Sequence, residues 1–332
     1  MANFAAGDPL VNVGALGRWM DSRSLAPGEE LTIRPIKAGT SNAMYQLDRG
    51  GRSYVLRRPA RVAVQRAEEG LVREFRILTA LGGSAVPHPA AVALCEDQSV
   101  LGSTFLLMDH VAGFNPMPPL APAIDTPVVR EQIAFAMVDA LAAIHEFDWR
   151  GRGLADLGRP DGFHDRQVTR WTTQLASYEG REMPGIDRVA SWLEQQLPSH
   201  FEPSLMHGDF HMFNLLVTEE APYRVAAVVD WETATIGDPL LDLAGFCEIW
   251  CPIAGADWPD RSALQARYCE ARGIDDPGEL RYYNALYNFR MAVLLEGIHQ
   301  RSLRDSTRPD MVEMGDRAMV NLDRALAVIT ST

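Results

Sequence analysis

Lysine is almost missing from this 332-residue chain: 30 of its 31 basic residues are arginine, and Lys37 is the single lysine. Chemistry that usually rests on an ammonium group must therefore use Lys37 or pass to a guanidinium, which is not a simple substitute. Cysteine is scarce as well. Cys95, Cys247, Cys251 and Cys269 form no C-x-x-C pair, and no second pair joins Cys247 and Cys251 to complete a zinc set. They read as reduced thiols of a cytoplasmic protein. No stretch approaches the ~20 apolar residues of a membrane span, and the opening MANFAAGDPL lacks the basic start and apolar run of a secretory leader. Positive charge is in deficit: the net of −13 argues against nucleic acid as a partner. The 26 glycines and 21 prolines are scattered without a period, which excludes collagen-like and low-complexity classes.

What is present is an ordinary globular balance, 47% hydrophobic and 23% charged, long enough for about two domains. The charge is uneven. Residues 1–113 carry 12 basic and 11 acidic groups, whereas residues 114–332 carry 19 and 33, a net of −14. A solvated acidic surface explains this, and so does a field that gathers a cationic substrate. Residues 10–25 read as a short amphipathic helix. Strand-like runs follow at 31–38, 43–48 and 53–58, the last two joined by the turn Arg49-Gly50-Gly51-Arg52. A helix over 61–81 presents Leu71, Phe75 and Leu78 on one face, and strands at 90–96 and 104–109 complete a set of five. The proline-rich segment 113–123 marks a join. Beyond it the pattern predicts helices at 127–147, 165–178, 186–197, 239–250, 261–272, 277–301 and 310–328, with short strands at 215–218 and 225–230.

The densest chemistry lies in LMHGDFHMFNLL (205–216) and VAAVVDWETATIGDPLLDLA (225–244). Phosphoryl transfer from ATP needs a carboxylate at the acceptor hydroxyl, oxygen ligands for magnesium and a cation on the phosphates. Asp209 and Asn214 have the Asp-x4-Asn spacing of a kinase catalytic loop. Asp230 closes an apolar strand 16 residues later, where a second metal ligand is required, and Asn plus Asp suits magnesium.

These two motifs, together with GTSN (39–42), YVLRRP (54–59), REFRIL (73–78), MDHVAG (108–113), GLADLGRP (153–160) and GDPLLDLA (237–244), resemble the aminoglycoside phosphotransferase and choline kinase superfamily. The likeness is strongest to the phosphotransferase domains associated with acyl-CoA dehydrogenases. It implies an α+β, bilobal, protein-kinase-like fold: a small antiparallel-sheet lobe for the nucleotide over 1–113, and a larger, mainly helical lobe with catalytic loop and acceptor site over 114–332. It implies Mg2+ and ATP bound between the lobes, and a small-molecule hydroxyl acceptor. Residue by residue, Asp209 would be the catalytic base, and Asn214 and Asp230 the metal ligands. His207 would fix the loop. Gly39, Thr40, Ser41 and Asn42 would cover the phosphates. Asp109 and Val111 would meet adenine through the main chain, with Met108 and Val55 against the ring, and Glu74 would pair with the phosphate-binding cation.

That cation departs from the superfamily pattern, because Arg57 stands where a strand-three lysine is expected. Strand alternation puts Val55 and Arg57 on one face and Leu56 and Arg58 on the other. Lys37, two residues before Gly39, is the rival. Other positions keep two readings. The run His207-x-Asp209-x-His211 fits a metal triplet as well as a loop. Asp238, before Pro239 and an apolar run, reads as a helix N-cap, and Asp242 as a brace for the catalytic loop. Glu232 could bind substrate or be structural. Trp171, Gln174 and Tyr178 share a helix face that could line the acceptor site or pack in the core. For the acceptor, the resemblance favours a hydroxyacyl-CoA or related hydroxy acid. A cationic acceptor of choline or aminoglycoside type, and a catalytically silent nucleotide-binding protein, are the alternatives.

Overall fold

A two-residue turn sets the register of the first sheet. Gly50 and Gly51 both have positive φ, +55° and +73°, the conformation that matches the twist of paired strands. The turn joins β2 (Asn42–Arg49) to β3 (Arg52–Pro59), with Arg49 opposite Arg52 and Asn42 opposite Pro59. The computed structural model describes residues 11–36, 42–59, 65–278, 280–304 and 311–331. With β1 (Thr32–Ile36), β4 (Ala91–Cys95) and β5 (Phe105–Asp109), the hairpin forms an antiparallel sheet of order β1-β2-β3-β5-β4.

Each face of this sheet takes one helix. α1 (Val13–Ser22) buries Leu16, Trp19 and Met20 against Tyr45, Leu47, Tyr54, Leu56 and Phe105. It is capped by Asn12, whose side chain accepts the Ala15 N–H. α2 (Gln65–Leu81) packs on β3, β4 and β5, burying Leu71, Ile77 and Leu78. Phe75, expected on that buried face, is only half-buried. The alternation along β3 is as its period requires: Leu56 joins the α1 cluster, and Arg58 donates to the carbonyl of Leu101 in α3 (Gln98–Leu101).

The chain packs as two compact units. The first runs through Asn115 and takes in Gly151–Leu154 and Leu215–Glu232. Within it, β7 (Leu215–Val217) and β8 (Val225–Val228) pair as a ribbon, Phe114 bridges to Val217, and the Val228 N–H donates to Pro87 O at 2.9 Å. The second unit is mainly helical: α4 (Pro127–His145), α5 (Gln167–Ala176), α6 (Ile186–Gln195), α7 (Leu240–Ala254), α8 (Arg261–Arg272), α9 (Arg281–Arg304) and α10 (Met314–Thr330). α9 is its axis, packing against α5, α6, α7 and α10. Among the described residues, no helix is long and apolar enough to cross a membrane.

Three elements have no counterpart in the sequence pattern: α3 and the strands β6 (Ser204–Met206) and β9 (Thr235–Gly237), which pair antiparallel. Four and three residues are too few to display a period. The strand expected through residue 230 stops at Val228, so Asp230 lies beyond it.

Candidate active site

In the first unit, β3 aims Arg57 at α2 and at the segment after β8. The side chain is 6% exposed. Nη1 donates to Glu74 Oε1 at 2.9 Å, and Nη2 to Asp230 Oδ1 at 2.7 Å and Glu232 Oε2 at 3.0 Å. Asn42, oriented so that its amide oxygen meets donors, accepts from Arg57 Nε at 3.1 Å and Nη2 at 2.8 Å. One guanidinium thus serves three carboxylates, a fork geometry an ammonium could not reproduce. Burial pushes the Glu74 carboxyl up to about 7; Arg57 pulls it down, and the charges of Asp230 and Glu232 push it up again. Its second oxygen, Oε2, is buried with no hydrogen-bond partner among the described residues. Asp230 holds a left-handed backbone, φ +69°, unusual for a residue other than glycine and a form of strain that gathers at functional sites. Trp231, fully buried, anchors the segment through Nε1–H to Val228 O at 2.8 Å.

The residues expected to meet adenine are partly described. Val55 faces Met108 across the β3–β5 pair, and both are buried. The Asp109 N–H is committed to Ala90 O at 2.9 Å, and its carboxylate to Arg52 at 3.0 Å. Val111 lies just past β5. Gly39, Thr40 and Ser41, expected over the phosphates, and Lys37, the rival cation, lie outside the described residues.

In the second unit, β6 runs directly into His207-Gly208-Asp209. Gly208 has φ +82°, and a Cβ there would stand 2.7 Å from Thr233 O, so the turn admits only glycine. Asp242, in the first turn of α7, accepts the N–H of His207 at 2.7 Å and of Gly208 at 3.1 Å. Beneath it lies His145, fully shielded, with Nε2 3.7 Å from Asp242 and Nδ1 2.7 Å from the Tyr268 hydroxyl. The Asp209 carboxylate, half-exposed, meets His211 Nε2 at 3.2 Å and the Asn214 amide N–H at 3.3 Å. Burial alone would raise its pKa, but the His211 bond and the charges of His211, His207 and Arg290 outweigh that and hold it below the usual carboxylate range. Asn214 also donates to Asp209 O at 3.0 Å, so its amide oxygen points elsewhere.

The remaining candidates have these surroundings. Asp238 does the work of a cap for α7: its side chain accepts the Leu240 N–H at 3.1 Å, and Pro239, already helical at φ −60°, stands in the first turn. It is also a fully buried junction: it accepts from the Tyr283 hydroxyl at 2.7 Å and His164 Nε2 at 2.9 Å. Glu232 is a partner of Arg57. Trp171 is buried, with Nε1–H on Gln167, and Gln174 is tied to Tyr178 at 2.7 Å. His207 and His211 both serve Asp209, and among the described residues no group of three His, Cys, Asp or Glu could hold a metal. Arg290 went unread in the sequence, although a single charge inside YNALYNFRMAVLL is itself a signal. It lines one pocket with Asp209, Asp242 and Tyr287.

Residues 32–283 match the phosphotransferase enzyme family APH. The chain is 33% identical over 279 residues to mouse acyl-CoA dehydrogenase family member 10, covering 80% of this chain and 26% of that protein. It thus spans about a quarter of that relative's length. It is similar to the solved structure of a candidate aminoglycoside phosphotransferase from Ralstonia eutropha JMP134, with 31% identity, a TM-score of 0.80, and 96% and 98% of the two chains covered. The GDP and kanamycin complex of the aminoglycoside phosphotransferase APH(2")-IIIa shares the fold at 16% identity and a TM-score of 0.64, over 94% and 98% of the two chains.

Proposed function

Because the chain belongs to the APH phosphotransferase family, we propose that it moves the γ-phosphoryl group of ATP to a hydroxyl of a small molecule, a hydroxyacyl-CoA or related hydroxy acid. The acceptor oxygen forms a bond to Pγ, the bond from Pγ to the β-phosphate oxygen breaks, and the hydroxyl proton passes to Asp209. The observation that carries this reading is the state of Asp209. Its carboxylate is partly open, held ionised by His211, and clamped by Asn214 on a loop whose N–H groups are pinned by Asp242. A base so placed contributes about 10²–10⁴ in rate.

Arg57 would neutralise phosphate charge in place of a lysine. Magnesium, when bound, would screen the phosphates and polarise the transferred group. The residues fit it. Asp230 and the Asn214 amide oxygen are hard oxygen donors, and magnesium takes few protein ligands beside water and phosphate. The three carboxylates around one guanidinium also leave a local negative excess suited to a dication. The acceptor class follows the likeness to an acyl-CoA dehydrogenase relative: phosphorylation converts a poor leaving group, hydroxyl, into a good one.

The test is transfer of γ-phosphate to a panel of hydroxyacyl-CoA, choline and kanamycin. Asp209→Asn should lower kcat about 10²-fold or more while leaving Mg-ATP affinity intact. Full turnover in that variant would remove Asp209 as the base, and turnover of choline or kanamycin alone would reverse the acceptor assignment.

A further inference from the structure

Arg290 is the least satisfied charge described in the second unit. It rises from the middle of α9, and burial pushes its guanidinium below the usual arginine range. Among the described residues its buried Nε has no hydrogen-bond partner, and Nη2 reaches the Gly208 carbonyl at 3.5 Å. Asp209 and Asp242 face it across the shared pocket. Among the described residues, however, no carboxylate comes within the 4.0 Å of an ion pair. Both are committed elsewhere, Asp209 to His211 and Asn214, and Asp242 to the loop N–H groups.

A second arginine compounds the imbalance. Arg170 on α5 stands over the Trp171 ring, 4.9 Å from its centroid, and Arg290 stands over the same ring at 5.3 Å. Arg170 is exposed, it too lacks an ion pair among the described residues, and its charge acts against that of Arg290. Two like charges gathered on one indole are unfavourable unless an anion joins them. The ring itself offers each only a cation–π attraction.

We propose that Arg290, seconded by Arg170 across Trp171, binds an oxyanion of the phosphate acceptor, so that the acceptor is anionic and presents its hydroxyl to the adjacent Asp209. This rests on the phosphotransferase reading and narrows its substrate class. Two guanidinium groups stand here although residues 114–332 carry a net of −14, so overall charge is a poor guide to the acceptor. Arg290 is a specificity residue, and its planar fork suits a carboxylate or phosphate equally.

The experiment reads turnover and binding separately on the full chain. With Mg-ATP, four hydroxyl compounds are compared: 3-hydroxybutanoate, glycerol 3-phosphate, neutral 1,3-butanediol and choline. The two anions should lead by roughly tenfold or more in kcat/KM, their ranking telling carboxylate from phosphate. Arg290→Gln should erase the lead mainly through KM, Arg290→Lys should restore part of it, and the exposed Arg170→Gln should give a smaller loss without any risk to folding. Preference for butanediol or choline, or an unchanged ratio in both glutamine variants, overturns the proposal. If none of the four is phosphorylated, calorimetric titration with 3-hydroxybutanoate and glycerol 3-phosphate decides. Binding lost in Arg290→Gln keeps the anion site, and the kinase reading then falls only if hydroxyacyl-CoA is not phosphorylated either. No binding to the unaltered chain sinks the anion site itself.

Discussion

Two arginines, one in each unit, show how differently the same side chain can be buried. Arg57 is surrounded: Glu74, Asp230 and Glu232 all lie within 3.0 Å, and the guanidinium is held above its ordinary range because those charges outweigh the burial that opposes them. Arg290 is stranded: burial dominates, no carboxylate among the described residues pairs with it, and its guanidinium is held below that range. Arg57 is thus part of the scaffold as well as of the proposed phosphate site. Arg290 has a fold-level reason to be some other residue and persists at a cost, which is the pattern of a group kept for a ligand.

The comparison breaks most visibly at Arg57. Arg57→Met removes the cation that three carboxylates share and should destabilise the chain by about 3–5 kcal/mol in urea unfolding. It should also lower kcat/KM for Mg-ATP about 10²-fold or more. Arg57→Lys restores charge but not the fork. If the arginine merely reflects a chain-wide preference, the lysine variant should keep most of the activity; if the three-way geometry matters, it should be impaired. Equal stability of the methionine variant and the unaltered chain would show that the cluster is not structural.

Asp242 supplies a case between the two, a buried carboxylate satisfied without any arginine. Its oxygens hold the His207 and Gly208 N–H groups, and Asp242→Ala would leave both donors unpaired. The expected loss is about 1–3 kcal/mol for each donor left dry, lowered where water enters, together with a fall in kcat at unchanged KM for Mg-ATP. A variant with normal kcat would show that the loop holds its shape without the pin.

Much of the Arg57 side was legible in the chain itself. The period of two in YVLRRP separates Arg57 from Arg58, and the structure puts Arg57 on Glu74 and Arg58 on Leu101 O. The Asp209-x4-Asn214 spacing survives as a real contact, because a five-residue separation across a 3-10 turn returns the chain on itself. What could not be read depends on residues far apart. Asp238-Pro239 before an apolar run carries the local marks of a cap, and Asp238 does accept the Leu240 N–H, but its other oxygen also joins His164 and Tyr283, 74 and 45 residues away, which no local pattern shows. β6 and β9 are too short for a pattern but frame the HGD and DWE motifs. Arg290 belongs to no motif; only its isolation among apolar neighbours marked it.

The acidity of Glu74 sharpens the contrast through pH. Its pKa rises to about 7 on folding from an ordinary value near 4.5. Between those limits the folded chain binds more protons than the unfolded one, so unfolding free energy should fall as pH rises from about 4.5 to about 7. Below that window the contribution is complete; above it, it is gone. Glu74→Gln should flatten this part of the stability profile measured by urea titration. An unchanged slope would mean that Arg57 keeps Glu74 ionised throughout.

The smallest expected effect is the most discriminating. Arg290→Met replaces the stranded guanidinium by an apolar chain of similar reach. The change removes the cation–π contact with Trp171, about 0.5–1 kcal/mol, and a long hydrogen bond to Gly208 O. Against that loss it relieves the burial of an unpaired charge and its repulsion from Arg170. Replacing poorly compensated buried charge by apolar side chains is often neutral or stabilising. Unfolding free energy should therefore shift by less than about 1 kcal/mol, or rise, while the same substitution at Arg57 is costly. A loss as large as that at Arg57 would show that Arg290 is structural after all, its apparent isolation relieved by a partner such as bound water, and the argument for an anionic acceptor would lose its premise. Stability held or raised, with affinity for 3-hydroxybutanoate or glycerol 3-phosphate lost, is the combination that a ligand-binding arginine alone produces.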